Sequence, residues 1–347
     1  MESFTLQDLL RDLVKQGGSD LHLKVGSPPT FRVNGELRAH DSPRLMPDDI
    51  QRLIKPSMSE KQIAELASDR DLDYAISLSG VARFRASVFF QRGTVVGVFR
   101  AVPFDIPQLA GLSLPDACTE LAARKSGLVL VTGATGSGKS TTLAAMVDHI
   151  NRSRRVHILT LEDPIEFVHR DRTAIVNQRQ VGADVHTFSV GVIRALRHDP
   201  DVILIGEMRD LETIESALTA AETGHLVLAT LHTSSAAQTV DRILDVFPAD
   251  KQAQVRLQLS ATLQGILSQH LLPRLSGGRQ AAVEVLVATR GIRAMIRDGK
   301  THQITSAIQS GGRHGMQTMA MAVEAAVESG NVDPAVAEQY LPDPAGV

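Results

Sequence analysis

Gly133-Ala134-Thr135-Gly136-Ser137-Gly138-Lys139-Ser140 has the residue types and spacing of a phosphate-binding loop, G-x-x-x-x-G-K-[ST]. The apolar, β-branched run at 127–132 precedes it and reads as a buried strand. Leu143, Ala144, Val147 and Ile150 follow at helical spacing. That strand-loop-helix context argues against a glycine-rich turn that matches by chance. Gly133, Gly136 and Gly138 permit the turn and put no side chain between backbone and ligand. Successive N–H groups then form an anion nest at a helix N-terminus. Lys139 should reach the β- and γ-phosphates, and the Ser140 hydroxyl should ligate Mg²⁺. Residues Gly133, Ala134, Thr135, Gly136, Ser137, Gly138, Lys139, Ser140 and Thr141 are therefore the candidate nucleotide-binding set.

Other chemistry-bearing residues follow apolar runs. Glu162, Asp163 and Glu166 come after the run at 156–161. They can hold Mg²⁺ through water or orient an attacking water. A solvated acidic turn is the alternative, and placement at the ligand edge of a nucleotide fold favours function. Val202-Ile203-Leu204-Ile205 has the pattern of a Walker B strand, but Gly206 and Glu207 follow where Asp is common. Gly206 is expected to leave space near metal-bound water, and Glu207 to accept from the water that attacks the γ-phosphate. Asp210 and Glu215 read as helix-start charges. His225 and His232, seven apart around a strand, fall on opposite faces and make a poor metal pair. His232, past the strand end, suits a phosphate contact or a sensor of hydrolysis, whereas a structural hydrogen bond explains His225 equally well. Arg83, Arg85, Arg92 and Arg100 either cover a sheet face or offer planar cations to a neighbouring γ-phosphate. Arg194 and Arg197, three apart, are placed on one helix face that can meet an adjacent site.

These residues need elements to hold them. A chain of 347 residues suggests two domains. Residues 1–101 read as a compact α+β domain: a helix capped by Ser3, a strand at 20–25, a hairpin turning at Asn34-Gly35, helices opening near Pro47 and Ser59, and strands at 71–78, 83–90 and 94–101. Residues 102–115, with Pro103, Pro107 and Pro115, read as a linker. Residues 116–347 alternate strands (127–132, 156–161, 202–205, 225–230, 281–286) with helices, which indicates a mostly parallel sheet covered on both faces. A loose tail follows Tyr340.

Composition narrows the function classes. The net charge of -3 and the 3% of aromatic residues give no support to a nucleic-acid partner. No apolar run approaches the ~20 residues of a membrane span, so no transmembrane segment is expected. The one cysteine, Cys118, excludes an intrachain disulfide and a multi-cysteine zinc site, and reads as a small apolar helix residue. A cytoplasmic protein is the expectation.

The phosphate loop at 133–140, the acidic box at 160–166, the atypical Walker B at 203–210 and the histidine box at 224–233 occur in the order that resembles the type IV pilus retraction ATPases of the secretion ATPase superfamily. The likeness runs from Gly18-Ser19-Asp20-Leu21-His22-Leu23 to Gly315-Met316-Gln317-Thr318-Met319. It implies an α/β protein with an N-terminal PAS-like α+β domain, then a RecA-like P-loop ATPase domain and a C-terminal helical region. It also implies a homohexamer that binds ATP and Mg²⁺ between domains. The catalytic residues implied are Glu207, supported by Glu162 and Glu166, with His232 in the histidine box and Arg85 and Arg100 from the first domain, Arg83 being a weaker candidate. The expected partners are an inner-membrane pilus platform protein, the pilin fibre indirectly, and an accessory retraction ATPase; docking is expected at the cytoplasmic face of the inner membrane. Extension and type II secretion relatives usually carry a further N-terminal domain and a four-cysteine zinc motif, which this sequence does not show. Retraction members typically have Ala-Ile-Arg-Asn-Leu-Ile where this chain has Gly291-Ile292-Arg293-Ala294-Met295-Ile296, and Ala134 stands where Pro is frequent. An accessory nucleotide-binding subunit, an extension or secretion ATPase and a DNA translocase are the competing readings.

Overall fold

Alternation of apolar and polar residues builds the first sheet. The computed structural model describes residues 4–102 and 106–340. These fall into two compact units, Met1–Asp105 and Ile106–Val347. In the first, β1 (Gly18–Leu23), β2 (Thr30–Val33), β3 (Glu36–Ala39), β4 (Asp71–Leu78), β5 (Ala82–Gln91) and β6 (Thr94–Val102) form a six-stranded sheet in the order β3-β2-β1-β6-β5-β4. Every adjacent pair is antiparallel. Asn34 and Gly35 both take positive φ, 53° and 83°, as the expected hairpin turn requires. Leu21, Phe31, Phe84 and Phe99 project from one face and are buried with Leu9, Leu10 and Leu13 of the helix Leu6–Lys15 and Ile50 of the helix Pro47–Ile54. The expected cap Ser3 lies outside the described residues. Thr5 caps that helix instead, because Asp8 stands at the third helical position and completes a reciprocal capping box.

The opposite face of this sheet is polar. Register aligns Arg32, Asp20, Arg100 and Arg85 in one row across β2, β1, β6 and β5. Asp20 is only 3% exposed. Its Oδ1 accepts from Arg100 Nε at 2.7 Å, and Ser19 Oγ donates to Oδ2 at 2.7 Å. Arg85 is exposed, and Arg83 Nη1 donates to Ser77 Oγ at 3.2 Å.

The second unit is built on β7 (Gly127–Thr132), β8 (His157–Glu162), β9 (Ile175–Gln180), β10 (Val202–Ile205), β11 (Leu226–Leu231), β12 (Leu263–Pro273) and β13 (Arg279–Val287), ordered β13-β12-β7-β11-β10-β8-β9. The sheet is parallel from β12 to β9, and β13 joins antiparallel. Alternate residues of the central strands enter two cores, one containing Leu128, Leu159, Ile203 and Val227, the other Val129, Ile158, Val202 and Leu226. Both faces are therefore covered, as continuous apolar strands require. Two strands were not evident in the sequence. β9 is a half-exposed edge with the polar sequence IVNQRQ, and the apolar spacing of β12 suits a helix nearly as well. Because β12 intervenes, the strand read at 281–286 is an antiparallel partner of β12 and not a further parallel one.

Residues 103–105 of the expected linker lie outside the described residues, and so does the tail beyond Tyr340. From Ile106 the chain belongs to the second unit, where Leu109 is buried beside Cys118 and Met146. Burial pushes the Cys118 thiol up to about 12, which leaves it un-ionised and inert. Among the described residues no helix is long and apolar enough to cross a membrane.

Candidate active site

The carboxyl ends of β7, β8, β10 and β11 lie side by side, so the loops that follow them share one cleft of about 500 Å³. Thr135, Gly136, Gly138, Lys139, Ser140 and Thr141 line it with Glu162, Glu166, Gly206, Glu207 and His232. Those loops are separated by tens of residues in sequence, and strand order alone brings them together. Arg83, Arg85 and Arg100 belong to the first unit.

The phosphate loop is held from behind by a residue that its motif does not announce. Gln269 on β12 is 2% exposed, and its Oε1 accepts from Thr142 Oγ1 at 2.8 Å. A Cβ at Gly133 would lie 2.4 Å from the Gln269 carbonyl oxygen, and one at Gly138 would lie 2.7 Å from Gln269 Nε2. Both glycines also take positive φ, 141° and 92°. Close approach and left-handed backbone together make them irreplaceable by L side chains. The loop opens directly into the helix Lys139–Ser153. Lys139 is 9% exposed, and its Nζ donates to the carbonyls of Gly133 at 2.8 Å and Ala134 at 2.9 Å. Burial pulls its pKa below the ordinary lysine value, against the opposing charges of Glu207 and Glu166. A bound phosphate is a better partner for this ammonium than two neutral carbonyls.

Glu207 is half-buried just past β10. Its Oε2 lies 2.8 Å from Arg209 Nη2 and 3.4 Å from His232 Nε2. Arg209 is a site residue that sequence reasoning missed, although it stands two residues from Glu207. Glu162 ends β8, where its Oε1 accepts from Thr160 Oγ1 at 2.6 Å and from Gln178 Nε2 at 2.9 Å. Burial raises its carboxyl above the usual range despite these donors and the Glu166 backbone amide, and the Glu166 charge adds a smaller rise. Gln178 was also missed, because it belongs to the polar edge strand β9. His169 lines the cleft too, and burial depresses its pKa to about 4, so its ring is neutral at physiological pH.

Gly206 lines the cleft and also has a packing role. A Cβ there would meet the Leu161 carbonyl oxygen at 3.2 Å and Glu162 Cα at 3.3 Å. Glycine thus lets the ends of β8 and β10 approach. Asp210 caps the helix Leu211–Glu222, its Oδ1 accepting from Thr213 N at 2.8 Å. His225 Nδ1 lies 3.0 Å from the Ala220 carbonyl and is outside the cleft, a structural position. Arg194 and Arg197 do not share a helix face, since the helix Phe188–Ala195 ends between them; both are exposed. Arg293 is tied down: Nη1 donates to the carbonyls of Ser260 at 2.8 Å and Ala261 at 2.6 Å, closing the last turn of the helix Ala249–Thr262.

A parallel sheet with a phosphate loop, a carboxylate after the neighbouring strand and a histidine beside it defines a RecA-like P-loop nucleotide hydrolase. The family described as Type II/IV secretion system protein matches residues 2–321, and the chain belongs to it. It is 49% identical to the type IV pilus retraction ATPase PilT of Pseudomonas aeruginosa, over 94% of each chain. It is 42% identical to the type IV pilus ATPase PilU of the same organism, over 91% of this chain and 83% of that one. The crystal structure of the pilus retraction motor PilT with bound ADP superposes with a TM-score of 0.91 at 46% identity, covering 99% of both chains.

Proposed function

We propose that this chain is the ATP-hydrolysing subunit of a homohexameric motor that drives type IV pilus retraction. The observation that carries this is the convergence of Lys139, Glu162, Glu207 and His232 on one cleft. Family membership and the likeness to a pilus retraction motor supply the mechanical context.

Nucleotide binding begins with the loop N–H groups and the Lys139 ammonium, which leaves the Gly133 and Ala134 carbonyls for the β- and γ-phosphates. Magnesium fits the donor set: Ser140 lies on the cleft beside Glu162, Glu166 and Glu207. Among the described residues no three-ligand His, Cys, Asp or Glu cluster exists, so phosphate oxygens and water would complete its shell. When bound, Mg²⁺ supplies neutralisation of the phosphate charge. Glu207 accepts from the attacking water and holds it in line. His232 and Arg209 set the direction of that carboxylate. Glu162 is locked by Thr160 and Gln178 and supports the position of the water. Arg85 and Arg100 complete a neighbouring subunit's site. Rings of such subunits dock at the cytoplasmic face of the inner membrane against the pilus platform protein.

The test is steady-state phosphate release by the purified full chain. Lys139→Ala should abolish nucleotide binding. Glu207→Ala should bind ATP and lose turnover by ~10²–10⁴-fold. Deleting the gene should leave excess, non-retracting surface fibres. Negligible turnover by the parent chain would instead indicate an accessory docking subunit, and missing fibres an extension ATPase.

A further inference from the structure

We propose that Glu284 is a positioning residue for the loop that carries His232, pinning that loop and the start of a C-terminal helix to one buried carboxylate. The sequence offers no hint of this. Glu284 sits in the interior of β13 between Val283 and Val285 and is 6% exposed. Its face of the strand otherwise presents Ala282 and Leu286, so an apolar residue would be the ordinary occupant. A carboxylate there loses hydration and must be matched by donors. Among the described residues no Lys, Arg or His lies within ion-pair distance of it.

One backbone amide bonds it instead, and a second acts on its charge. Ala236 N–H donates to Glu284 Oε1 at 2.7 Å. The backbone amide of Met319 also favours the charged form of this carboxylate. Ala236 and Met319 are the first residues of the helices Ala236–Asp245 and Met319–Glu328. Two positive helix ends thus converge on one negative group, which accounts for an ionisable residue in a strand interior. Burial raises its pKa, and the two amides work against that rise.

The pinned segments are not arbitrary. Ala236 lies four residues after His232, and the intervening turn is stiff. Thr233 Oγ1 and Thr239 Oγ1 lie 2.7 Å apart, and Thr239 Oγ1 also donates to the Ser235 carbonyl at 2.7 Å. Met319 follows Gln317, whose Nε2 donates to the Val283 carbonyl at 2.8 Å and whose carbonyl accepts from Val285 N at 2.8 Å. A shift of the His232 loop therefore meets the C-terminal helix at Glu284. The consequence for turnover rests on the role given to His232 above.

The experiment is a mutant cycle on the full-length protein, read as turnover per nucleotide-binding site, ADP affinity and amide exchange. Glu284→Ala should lower kcat by about tenfold, within the range that a small misplacement costs, while ADP affinity is retained. Glu284→Gln keeps one carbonyl acceptor and should recover part of the loss. Glu284→Ala combined with His232→Ala should be no slower than His232→Ala alone. A melting-temperature drop with unchanged kcat per site would overturn the proposal, and so would losses that multiply. If His232→Ala turns over at the parent rate, the role of His232 fails, and exchange in residues 232–240 and 315–323 decides on the pin. Faster exchange in both segments of Glu284→Ala supports it, and unchanged exchange overturns it. Should Glu284→Ala not fold, Glu284→Gln carries the same measurements.

Discussion

His232 Nε2 stands 3.4 Å from Glu207 Oε2, although the two residues are 25 apart in the chain. The contact exists because β10 and β11 pair in parallel, with Ile205 opposite Ala229, so the loops after both strands leave the sheet together. His232→Ala removes one of the side chains in contact with Glu207 Oε2 and leaves Arg209. Turnover should fall by ~10-fold or more with ATP affinity retained, and Glu207→Ala/His232→Ala should be no slower than Glu207→Ala. Single-turnover phosphate release checks this; fully additive losses would show that the two residues act independently.

Gly206→Ala should disturb the site without touching nucleotide. Its Cβ meets Leu161 O and Glu162 Cα, so the end of β8 must move by a few tenths of an ångström. The expected cost is about 1–3 kcal/mol of stability together with slower hydrolysis. Thermal melting and kcat measured on one preparation test both parts.

Glu162 predicts a pH dependence. Its folded pKa is raised above the ordinary 4.5, mainly by burial. A raised carboxyl favours folding most below its unfolded pKa, and that advantage is lost as pH rises through the folded pKa. Glu162→Gln, which cannot ionise, should therefore gain stability relative to the parent chain as pH increases above about 4.5. Urea midpoints across that interval give the answer. A parent-minus-variant difference that does not change with pH would contradict the raised value.

Arg85 and Arg100 stand directly opposite each other on β5 and β6, yet their removal should read out differently. Arg100 neutralises the buried Asp20, so Arg100→Ala should destabilise the first unit by about 1–3 kcal/mol. Burial acts to raise Asp20, but the Ser19 and Arg100 bonds outweigh it and hold the carboxyl below the usual 3.8. Its stabilising contribution is present above 3.8 and fades as pH falls through the folded value, so the Arg100→Ala deficit should shrink in acid. Arg85→Ala should leave the melting temperature unchanged. In mixed rings both variants should lower the turnover of neighbouring subunits. Loss confined to the mutated subunits would remove Arg85 from action in trans.

Much of this protein was legible in the chain itself, and the legible parts share a cause. The phosphate loop, the Asn34-Gly35 turn, the strand Asp71–Leu78 and the Walker B strand Val202–Ile205 depend on residues adjacent in sequence. Local spacing sets backbone conformation and which face is apolar, so periodicity and turn chemistry suffice. The carboxylate Glu207 and the loop lysine Lys139 were recognisable for the same reason: their motifs are contiguous.

The tertiary structure decided the rest. Gln269 behind the loop, Gln178 on Glu162 and Glu284 between two helix starts lie 127, 16 and 48 residues from the groups they hold. No local pattern marks them, because each is a polar residue whose meaning comes from the strand it happens to adjoin. The antiparallel addition of β13 and the order β11-β10-β8 were equally hidden, since pairing between distant strands is selected by burial of the whole sheet and not by any one segment. The amino-acid order supplied the reacting groups, and packing across the sheet chose which of them meet.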